Sequence, residues 1–235
     1  GTTLFTNKLI ERKGSTPRFF PTKGFADVLD MQKEMRYDIY DLHAKEVTHL
    51  VPKLLRYEID ERIDGDGNII KHIDIKTLEK QLQLLKNNHE LSSNHSVAIC
   101  LLHSYINPTH ENIVRDIIKY YFPMVNISLS HEISPLIREY ERMSTTICNS
   151  YIQPLANEYI NNIENHLKIN KYKSPLRLML SSGGITSTNI AKKYPVRLIE
   201  SGPAAGTLAA AHLGSKSGFK DLLSFDMGGT TAKMC

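Results

Sequence analysis

The chain has 235 residues, of which 41% are hydrophobic and 23% charged, with 13 glycines and no tryptophan. This balance is typical of an ordinary globular protein and excludes disordered, collagen-like and disulfide-rich chains. The net charge of +4 is mild for this length and is not gathered into a basic block, so no nucleic-acid partner is expected. The longest apolar run, 97–102, is far shorter than the roughly 20 residues of a membrane helix, so no membrane partner is expected.

The cysteines and the chain ends bear on the compartment of the protein and on whether the sequence is a fragment. Cys100, Cys148 and Cys235 are odd in number and lack CxxC spacing, which predicts reduced thiols and a cytoplasmic protein. The sequence begins at Gly1 without a methionine and stops shortly after a Gly-Gly turn. We therefore expect an internal fragment of a longer protein.

Residues 1–129 alternate between strand-like and helical patterns, which indicates an α/β arrangement. A helix is predicted at 24–35, followed by a hairpin made of 54–63 and 69–73. The next helix, 74–87, has an apolar face formed by Leu78, Leu82 and Leu85. A buried strand at 97–102, a helix at 108–121 and a strand at 125–129 complete this part, and Ile113, Ile117 and Ile118 are predicted to share the apolar face of the helix.

Residues 130–235 form a second region with a different pattern. Helical spacing extends over 137–170, where Pro154 is expected to kink or split the helix. A strand at 176–180, a small-residue helix at 207–213 and a strand at 222–226 follow. We expect the two strands to be neighbours in one sheet, because both are short apolar runs that end in glycine-containing loops.

The stretch 222–231 has the composition of a phosphate-binding loop. An apolar strand carries Asp226 at its end, and Gly228 and Gly229 then allow a tight turn whose N–H groups face outward. The hydroxyls of Thr230 and Thr231 lie beside those donors, and Asp226 is a candidate Mg²⁺ ligand, usually through water. A plain β-hairpin with a Gly-Gly turn and an aspartate cap fits the same residues, so both interpretations stay open.

The densest polar cluster lies at 131–142. On a helix, Arg138 and Arg142 would share a face at i, i+4, which suits a clamp for substrate or phosphate. His131 and Glu132 are the candidates for acid–base catalysis. A solvated helix start with weak intrahelical ion pairs is the alternative interpretation of these residues.

Several sequence runs, taken in their order, resemble the hydantoinase A/5-oxoprolinase family. The matching runs cover nearly the whole chain: 1–3, 6–14, 40–42, 60–63, 128–132, 138–142, 182–184, 201–206 and 225–231. The resemblance implies a partial α/β fold of the ribonuclease H-like, actin-type ATPase class, with a mixed sheet flanked by helices. It also implies that 1–129 is the C-terminal part of the family's N-terminal region, and that 130–235 begins the core domain and ends in its second phosphate loop.

The resemblance further implies an ATP- and Mg²⁺-dependent enzyme. Its substrate would be a cyclic amide such as a hydantoin or 5-oxoproline, opened through a phosphorylated intermediate, or a ketone in a related carboxylation. The implied partner is a subunit of the hydantoinase B type. Two alternatives remain open, namely a small-molecule kinase of the same fold and a non-catalytic assembly module.

The phosphate groups of ATP would be held by the residues of the second loop and by the start of the preceding helix. These are Asp226, Gly228, Gly229, Thr230, Thr231, Gly202 and Lys233. Lys233 departs from the family pattern, in which an aspartate is usual, so any metal role there passes to Asp226 or disappears. The family's first loop, Asp-x-Gly-Gly-Thr, is expected upstream of Gly1, so the fragment alone is expected to be inactive and to bind ATP weakly.

Overall fold

The structure is a computed structural model that describes residues 2–33, 40, 43, 48–91, 95–227 and 232–235. Its helices are α1 (Leu4–Ile10), α2 (Val28–Met31), α3 (Ile75–Asn87), α4 (Thr109–Tyr121), α5 (Ser130–Ile133), α6 (Glu139–Ile169), α7 (Thr188–Lys193) and α8 (Ser201–Lys216), with 3₁₀ turns at Lys53–Leu55 and Pro195–Leu198. Its strands are β1 (Arg18–Pro21), β2 (Arg62–Ile63), β3 (Ile69–Lys71), β4 (Ser96–Cys100), β5 (Asn126–Leu129), β6 (Arg177–Met179), β7 (Ile185–Ser187), β8 (Phe225–Met227) and β9 (Ala232–Met234).

The chain divides into two compact units. The sheet unit is Gly14–Pro154, and the hairpin unit consists of Gly1–Lys13 with Leu155–Cys235. The division into 1–129 and 130–235 expected from the sequence remains a proposal.

A three-stranded parallel sheet in the order β1-β4-β5 is the centre of the sheet unit. Phe19 is aligned with Ala98, and Ala98 is aligned with Ser128. Every residue of β1 and β4 is buried, as expected for parallel strands covered on both faces. The α/β class predicted from the sequence is therefore confirmed.

Alternate residues of β4 supply the two hydrophobic clusters of this unit. Val97 and Ile99 belong to a cluster that includes the apolar side chains of α3 and α4. Ala98 and Cys100 belong to the other cluster, together with Met143 and Ile147 of α6. The sheet is thus covered by helices on both sides.

Two local predictions in this unit are confirmed at the level of side chains. The carboxylate of Asp74 accepts a hydrogen bond from the backbone N–H of Thr77 (3.2 Å) and so caps α3, which begins one residue later. The antiparallel pairing of β2 with β3 confirms the hairpin but not its length, because only Arg62–Ile63 of the predicted strand 54–63 is a strand and Lys53–Leu55 is a 3₁₀ turn. The turn of the hairpin needs Gly67, whose φ is +88°.

Two other predictions for this unit are corrected. The buried residues of α4 are His110, Glu111, Val114 and Ile118, whereas Ile113 is 36% exposed. The buried face therefore differs from the predicted one, because His110 and Glu111 in the first turn of α4 are buried. α2 is also shorter than predicted, and residues 34 and 35 of that predicted helix lie outside the described residues.

In the hairpin unit, the expected pairing of the segments 176–180 and 222–226 is wrong. β6 pairs with β7, and β8 pairs with β9, in separate antiparallel sheets. Each strand pairs with the segment that follows it, because a local turn closes far less chain than a long-range pairing does. In the first of these turns Gly183 has φ +86°, and Leu208 of α8 lies where a β-carbon would be.

α6 is a single helix of 31 residues that contains Pro154. The expected split at the proline is therefore not observed. The Arg138–Arg142 spacing also differs from expectation, because α6 begins at Glu139 and Arg138 precedes it with a positive φ of 94°. The two arginines consequently do not share a helix face.

Candidate functional site

The carboxyl ends of β1, β4 and β5 bring a set of polar residues together in the sheet unit. Because the strands are parallel, the residues that follow them lie along one edge of the sheet, which is the usual ligand-binding edge of such folds. The first turn of α4 meets this edge. We call the resulting set the strand-end cluster, which consists of Thr22, Glu61, His110, Glu111, Ser130 and His131.

Glu111 is the centre of this cluster and is completely buried. Its Oε1 accepts hydrogen bonds from the backbone N–H of Leu101 (3.0 Å) and from the hydroxyl of Ser130 (2.5 Å). Its Oε2 accepts the backbone N–H of His131 (3.1 Å) and lies 2.6 Å from Nδ1 of that ring. Two of these four neighbours are backbone N–H groups, which can only donate.

His131 lies in α5, directly after the carboxyl end of β5, and its side chain is 17% exposed. Nδ1 of this ring forms its hydrogen bond with Oε2 of Glu111, and which of the two atoms donates depends on the tautomer of the ring. In the part of the chain that the structure describes, Nε2 makes no protein hydrogen bond. This nitrogen is therefore available for acid–base chemistry.

A second histidine–carboxylate pair lies next to the first. Nδ1 of His110 is 2.6 Å from Oε2 of Glu61, and both residues are buried. The hydroxyl of Thr22 donates to Glu61 and accepts the backbone N–H of Leu102 (3.0 Å), which ties this pair to the ends of β1 and β4. Among the described residues, Nε2 of His110 has no partner although it is buried.

Arg142, predicted as part of a clamp, is only 1% exposed. It donates to the carbonyl oxygen of Leu101, its guanidinium lies 3.6 Å from the Cys100 sulfur, and its Cζ is 5.2 Å from the centre of the Tyr105 ring. Burial raises the pKa of the Cys100 thiol to about 11, although the charge of Arg142 acts in the opposite direction. Arg142 thus supports the end of β4 from inside the unit.

The other two predicted residues of this region are more accessible. Glu132 is half-buried in α5, beside His131. Arg138 is exposed and has a positive φ, a conformation that is costly for a residue with a β-carbon. Their predicted roles in binding or catalysis remain predictions.

The predicted phosphate loop falls on the β8–β9 hairpin of the hairpin unit. Asp226 is exposed in β8 and is aligned with Lys233 of β9. The connecting residues, Gly228, Gly229, Thr230 and Thr231, lie outside the described residues. The antiparallel pairing fits both interpretations of this segment, since either one requires a turn between two strands.

Lys233 has a defined partner at the beginning of α8. Its ammonium group forms an ion pair with Glu200, which precedes α8 in the left-handed conformation (φ 63°). The N–H of Glu200 donates to the hydroxyl of Thr6 (3.3 Å). The lysine charge is therefore already matched by a carboxylate.

Gly202 lies in the first turn of α8. A β-carbon at this position would be 3.7 Å from Cγ2 of Thr3, which is an ordinary contact distance. The neighbouring Ser201 is buried and accepts a hydrogen bond from the N–H of Thr2 (3.3 Å). A role of Gly202 in phosphate binding remains a prediction.

Sequence reasoning missed Glu61, His110 and Glu111 as members of a site. For Glu111 a signal was available, because it precedes Val114 and Ile118 by three and seven residues and so falls on the buried helix face. The partners of Glu61, which are Thr22 and His110, are 39 and 49 residues away from it in the sequence, so no local pattern predicts these contacts.

Metal-ion clusters and membrane-spanning helices are both absent from the described residues. No group of three or more histidine, cysteine, aspartate or glutamate side chains is placed to hold a metal ion within those residues. Likewise, none of the helices in the described part of the chain is long and apolar enough to cross a membrane.

Comparison with known proteins identifies two family regions in the chain. Residues 1–122 match the hydantoinase/oxoprolinase N-terminal region, and residues 142–235 match the hydantoinase/oxoprolinase family. An uncharacterised protein of Methanocaldococcus jannaschii is 39% identical over 236 residues, which cover 99% of this chain and 34% of the relative. The chain thus spans about a third of the length of this relative.

Two solved structures resemble the whole chain. The ATP-dependent caprolactamase of Pseudomonas jessenii has a TM-score of 0.87 at 30% identity, and an acetone carboxylase, in its nucleotide-free structure, has a TM-score of 0.84 at 28% identity. Each likeness covers 100% of this chain and 34% of the other chain. These likenesses confirm the actin-like ATPase type of fold expected from the sequence.

Proposed function

The chain belongs to the hydantoinase/oxoprolinase family, and we propose that it is part of an enzyme that opens cyclic amides with the help of ATP and Mg²⁺. A hydantoin, 5-oxoproline or another lactam would be the substrate. The amide carbonyl is a poor electrophile, and an ATP-dependent enzyme overcomes this by activating the carbonyl oxygen. The protein's contribution is then positioning and charge neutralisation.

The observation that carries this proposal is the Glu111–His131 pair in the strand-end cluster. A histidine held by a buried carboxylate, with its second nitrogen free of protein contacts in the described chain, is suited to moving a proton to or from a substrate. We assign acid–base chemistry to His131, with Glu132 as the neighbouring candidate. Arg138 is assigned to the substrate or phosphate, and Arg142 to support of the strand end beneath it.

Nucleotide binding is assigned to the β8–β9 hairpin and the start of α8. The Asp226 side chain is exposed, and a single carboxylate combined with phosphate oxygens is a common way of holding Mg²⁺. When bound, MgATP would supply the phosphoryl group that activates the substrate. The backbone and hydroxyls of Gly228, Gly229, Thr230 and Thr231, with Gly202 nearby in sequence, would hold phosphate oxygens.

Lys233 takes a supporting part in this proposal. Its ion pair with Glu200 fastens β9 to the residue before α8 and places a positive charge opposite Asp226 on the hairpin. We therefore assign to Lys233 the stabilisation of the hairpin rather than metal binding.

Ketone carboxylation is the second candidate function, and the likeness to an acetone carboxylase supports it. An enolate oxygen would then take the place of the amide oxygen. Both reactions consume ATP, so they must be separated by their products. The partner proposed for either one is a subunit of the hydantoinase B type, and the proposed compartment is the cytoplasm.

The decisive experiment is product analysis with the full-length protein and its co-expressed partner. ATP, Mg²⁺ and a panel of hydantoins, 5-oxoproline, caprolactam and ketones with bicarbonate are supplied, and the products are identified by mass spectrometry. A ring-opened acid with release of ADP and phosphate supports the amidase. A carboxylated ketone supports the carboxylase, a stable phosphorylated product indicates a kinase, and no ATP-dependent product with any substrate indicates an assembly module.

The 235-residue chain by itself provides a second test. It is proposed to bind ATP weakly, because one phosphate loop leaves most of the triphosphate and the adenosine uncovered. Isothermal titration calorimetry on this chain and on the full-length protein measures the difference. Micromolar affinity of the chain alone would contradict the proposal that the first phosphate loop, which lies outside this sequence, is needed for tight binding.

A further inference from the structure

We propose that Glu111 is a positioning residue that fixes the tautomer of His131, keeping the ring proton on Nδ1 and leaving Nε2 to exchange a proton with the substrate. The inference rests on the proposed function, because it requires a reaction in which His131 transfers a proton. It adds to that function a residue that acts through another one and does not touch the substrate.

The hydrogen bonds of Glu111 leave a single arrangement for the His131 ring. Two of its four neighbours are backbone N–H groups, which can only donate. The oxygen that accepts the His131 N–H is also the one that faces Nδ1, at 2.6 Å. An ionised Glu111 can only accept, so in the proposed arrangement the hydrogen between the two groups belongs to Nδ1.

The same contacts fix the orientation of the ring. One oxygen of Glu111 binds both the backbone N–H of His131 and Nδ1 of its ring, so the residue is held at two points. The carboxylate is fixed in turn by the Leu101 N–H, directly after β4, and by the Ser130 hydroxyl. The position of Nε2 is thereby tied to the ends of two neighbouring strands.

In the proposed reaction Nε2 takes a proton from the attacking water while Nδ1 keeps its own. The positive charge that forms on the ring is stabilised by the Glu111 carboxylate. The water oxygen bonds to the phosphorylated carbonyl carbon, and the proton on Nε2 then passes to the amide nitrogen as the C–N bond breaks, which returns the ring to its starting tautomer. The acyl phosphate that remains is hydrolysed by a second water, which releases the ring-opened acid and phosphate. Glu111 remains ionised throughout and exchanges no proton.

The alternative is that Glu111 only holds β4, β5 and α4 together. Glu111→Gln distinguishes the two roles, because glutamine has nearly the same shape. Its amide oxygen can still accept from Leu101 and Ser130, whereas its amide nitrogen would face Nδ1 of His131 and would lose the hydrogen bond from the His131 backbone N–H. A donor facing Nδ1 forces the ring proton onto Nε2, which is the wrong tautomer for the proposed transfer.

The test uses the full-length protein with ¹⁵N-labelled histidine, and the His131 signal is identified by its loss in His131→Gln. We expect a proton on Nδ1 in the wild type and on Nε2 in Glu111→Gln. We expect kcat to fall by about 10²- to 10⁴-fold, since the comparable carboxylate-to-amide change in serine proteases costs about 10⁴. The KM for ATP is expected to stay within about threefold of the wild-type value, because Glu111 is not among the residues assigned to nucleotide binding.

Ser130→Ala is the matched control for a purely structural effect. It removes one buried hydrogen bond of Glu111 but leaves both contacts with His131 intact, so the wild-type tautomer should persist. Glu111→Asp keeps the charge and should recover part of the kcat lost in Glu111→Gln.

Three results would overturn the inference: a wild-type His131 with its proton on Nε2, an unchanged tautomer in Glu111→Gln, or an unchanged kcat in that variant. The first needs no variant, so the inference stays falsifiable even if Glu111→Gln does not fold. A wild-type protein that turns over no amide or ketone overturns the proposed function, and this inference with it. An active wild type with an equally active Glu111→Gln overturns this inference alone.

Discussion

Asp30 and Arg56 form a two-point ion pair, with Nη1–Oδ2 and Nη2–Oδ1 distances of 2.8 and 2.9 Å. The hydrogen bonds from the guanidinium outweigh the opposing effect of burial and lower the pKa of Asp30 to about 2. His49 and Lys53 also lie against this carboxylate, at 3.1 and 3.4 Å. The pair connects α2 with the segment after the first 3₁₀ turn.

The lowered pKa of Asp30 predicts a dependence of stability on pH. Because the folded-state pKa is below the ordinary 3.8, the stabilisation is fully present above about pH 4, declines as the pH falls, and is lost below about pH 2. Its size at neutral pH is about 2 kcal/mol. Asp30→Asn should therefore be less stable at pH 7 by at least this amount, and the deficit should narrow toward pH 3.

Urea unfolding between pH 7 and pH 3 measures this effect. Asp27→Asn is the control, because Asp27 lies next to α2 but its side chain caps no helix hydrogen bond. A deficit in Asp30→Asn that is equal at all pH values would contradict the prediction.

The Glu61–His110 pair should be strongly coupled in stability. Truncating one member of a buried hydrogen-bonded pair leaves the other unsatisfied, so Glu61→Gln and His110→Ala should each destabilise by about 3 kcal/mol. The double variant should lose less than the sum of the two, by about 1–3 kcal/mol. A double-mutant cycle followed by urea unfolding gives the coupling free energy. Half-buried Glu58, which accepts the N–H of Gly24 (2.8 Å), provides the control, since glutamine at this position keeps an acceptor and Glu58→Gln should cost little. Strictly additive losses for the Glu61–His110 pair would refute the coupling.

Gly14 cannot accept a side chain. A β-carbon there would lie 2.1 Å from Cε1 of Tyr151, a side chain that is itself only 3% exposed. Gly14→Ala should therefore destabilise the protein by about 1–3 kcal/mol through overpacking. The matched variant is Gly65→Ala, whose β-carbon would meet nothing closer than His103, at 4.0 Å. Thermal unfolding compares the two, and equal melting temperatures would show that the Tyr151 ring moves aside freely.

The Cys100 thiol should resist modification in the folded protein. With a pKa raised to about 11 by burial, about one thiol in a thousand is ionised at pH 8, against roughly a quarter for an ordinary thiol. Its reaction with a disulfide reagent should thus be at least about 100-fold slower than in the unfolded chain. Absorbance of the released thiolate, compared with Cys100→Ser, measures the rate. Rapid labelling of Cys100 under native conditions would contradict the burial.

Asp226→Asn tests the nucleotide assignment in the full-length protein. The carboxylate charge matters most as phosphate charge shifts during the reaction, so turnover should fall by about 10²-fold or more while ATP affinity changes much less. Lys233→Ala should have a milder effect, because its charge is engaged by Glu200. Turnover and ATP affinity are measured for each variant beside Asp221→Asn, an exposed upstream control. Wild-type turnover in Asp226→Asn would leave this residue as a simple turn cap.

Local patterns in the sequence predicted the sheet unit well where one element carries its own signals. α3 is the clearest case, because Asp74 caps it and Leu78, Leu82 and Leu85 form its buried face. The β2–β3 hairpin followed from its turn residues in the same way. The short strands β6 and β8 contain no information about their partners, so pairing by similarity alone failed.

The candidate site was predictable only in part. His131 was identified from a polar cluster in the sequence, yet its partner Glu111 lies 20 residues away on another helix. A glutamate in the first turn of a helix is ordinarily a solvent-exposed residue that is stabilised by the helix dipole, so the sequence alone gives no reason to expect Glu111 to be buried. Arg142 was also identified from the sequence, but as part of a clamp for substrate or phosphate, whereas its guanidinium is buried. It donates to the carbonyl oxygen of Leu101, directly after β4, and the sequence does not show this contact.

The connection between β4 and α4, residues 101–108, forms tertiary hydrogen bonds near both of its ends. Its backbone binds Glu111, Thr22 and Arg142 at one end, and Asn107 donates to the carbonyl of Gly67 (2.8 Å) at the other. Segments with so many tertiary hydrogen bonds tolerate inserted sequence poorly, whereas exposed connections tolerate it well. A reporter tag or fused domain should therefore be placed at 171–175, where every residue is exposed, because the same graft within 101–108 would pull apart the supports of His131 and of the strand end together.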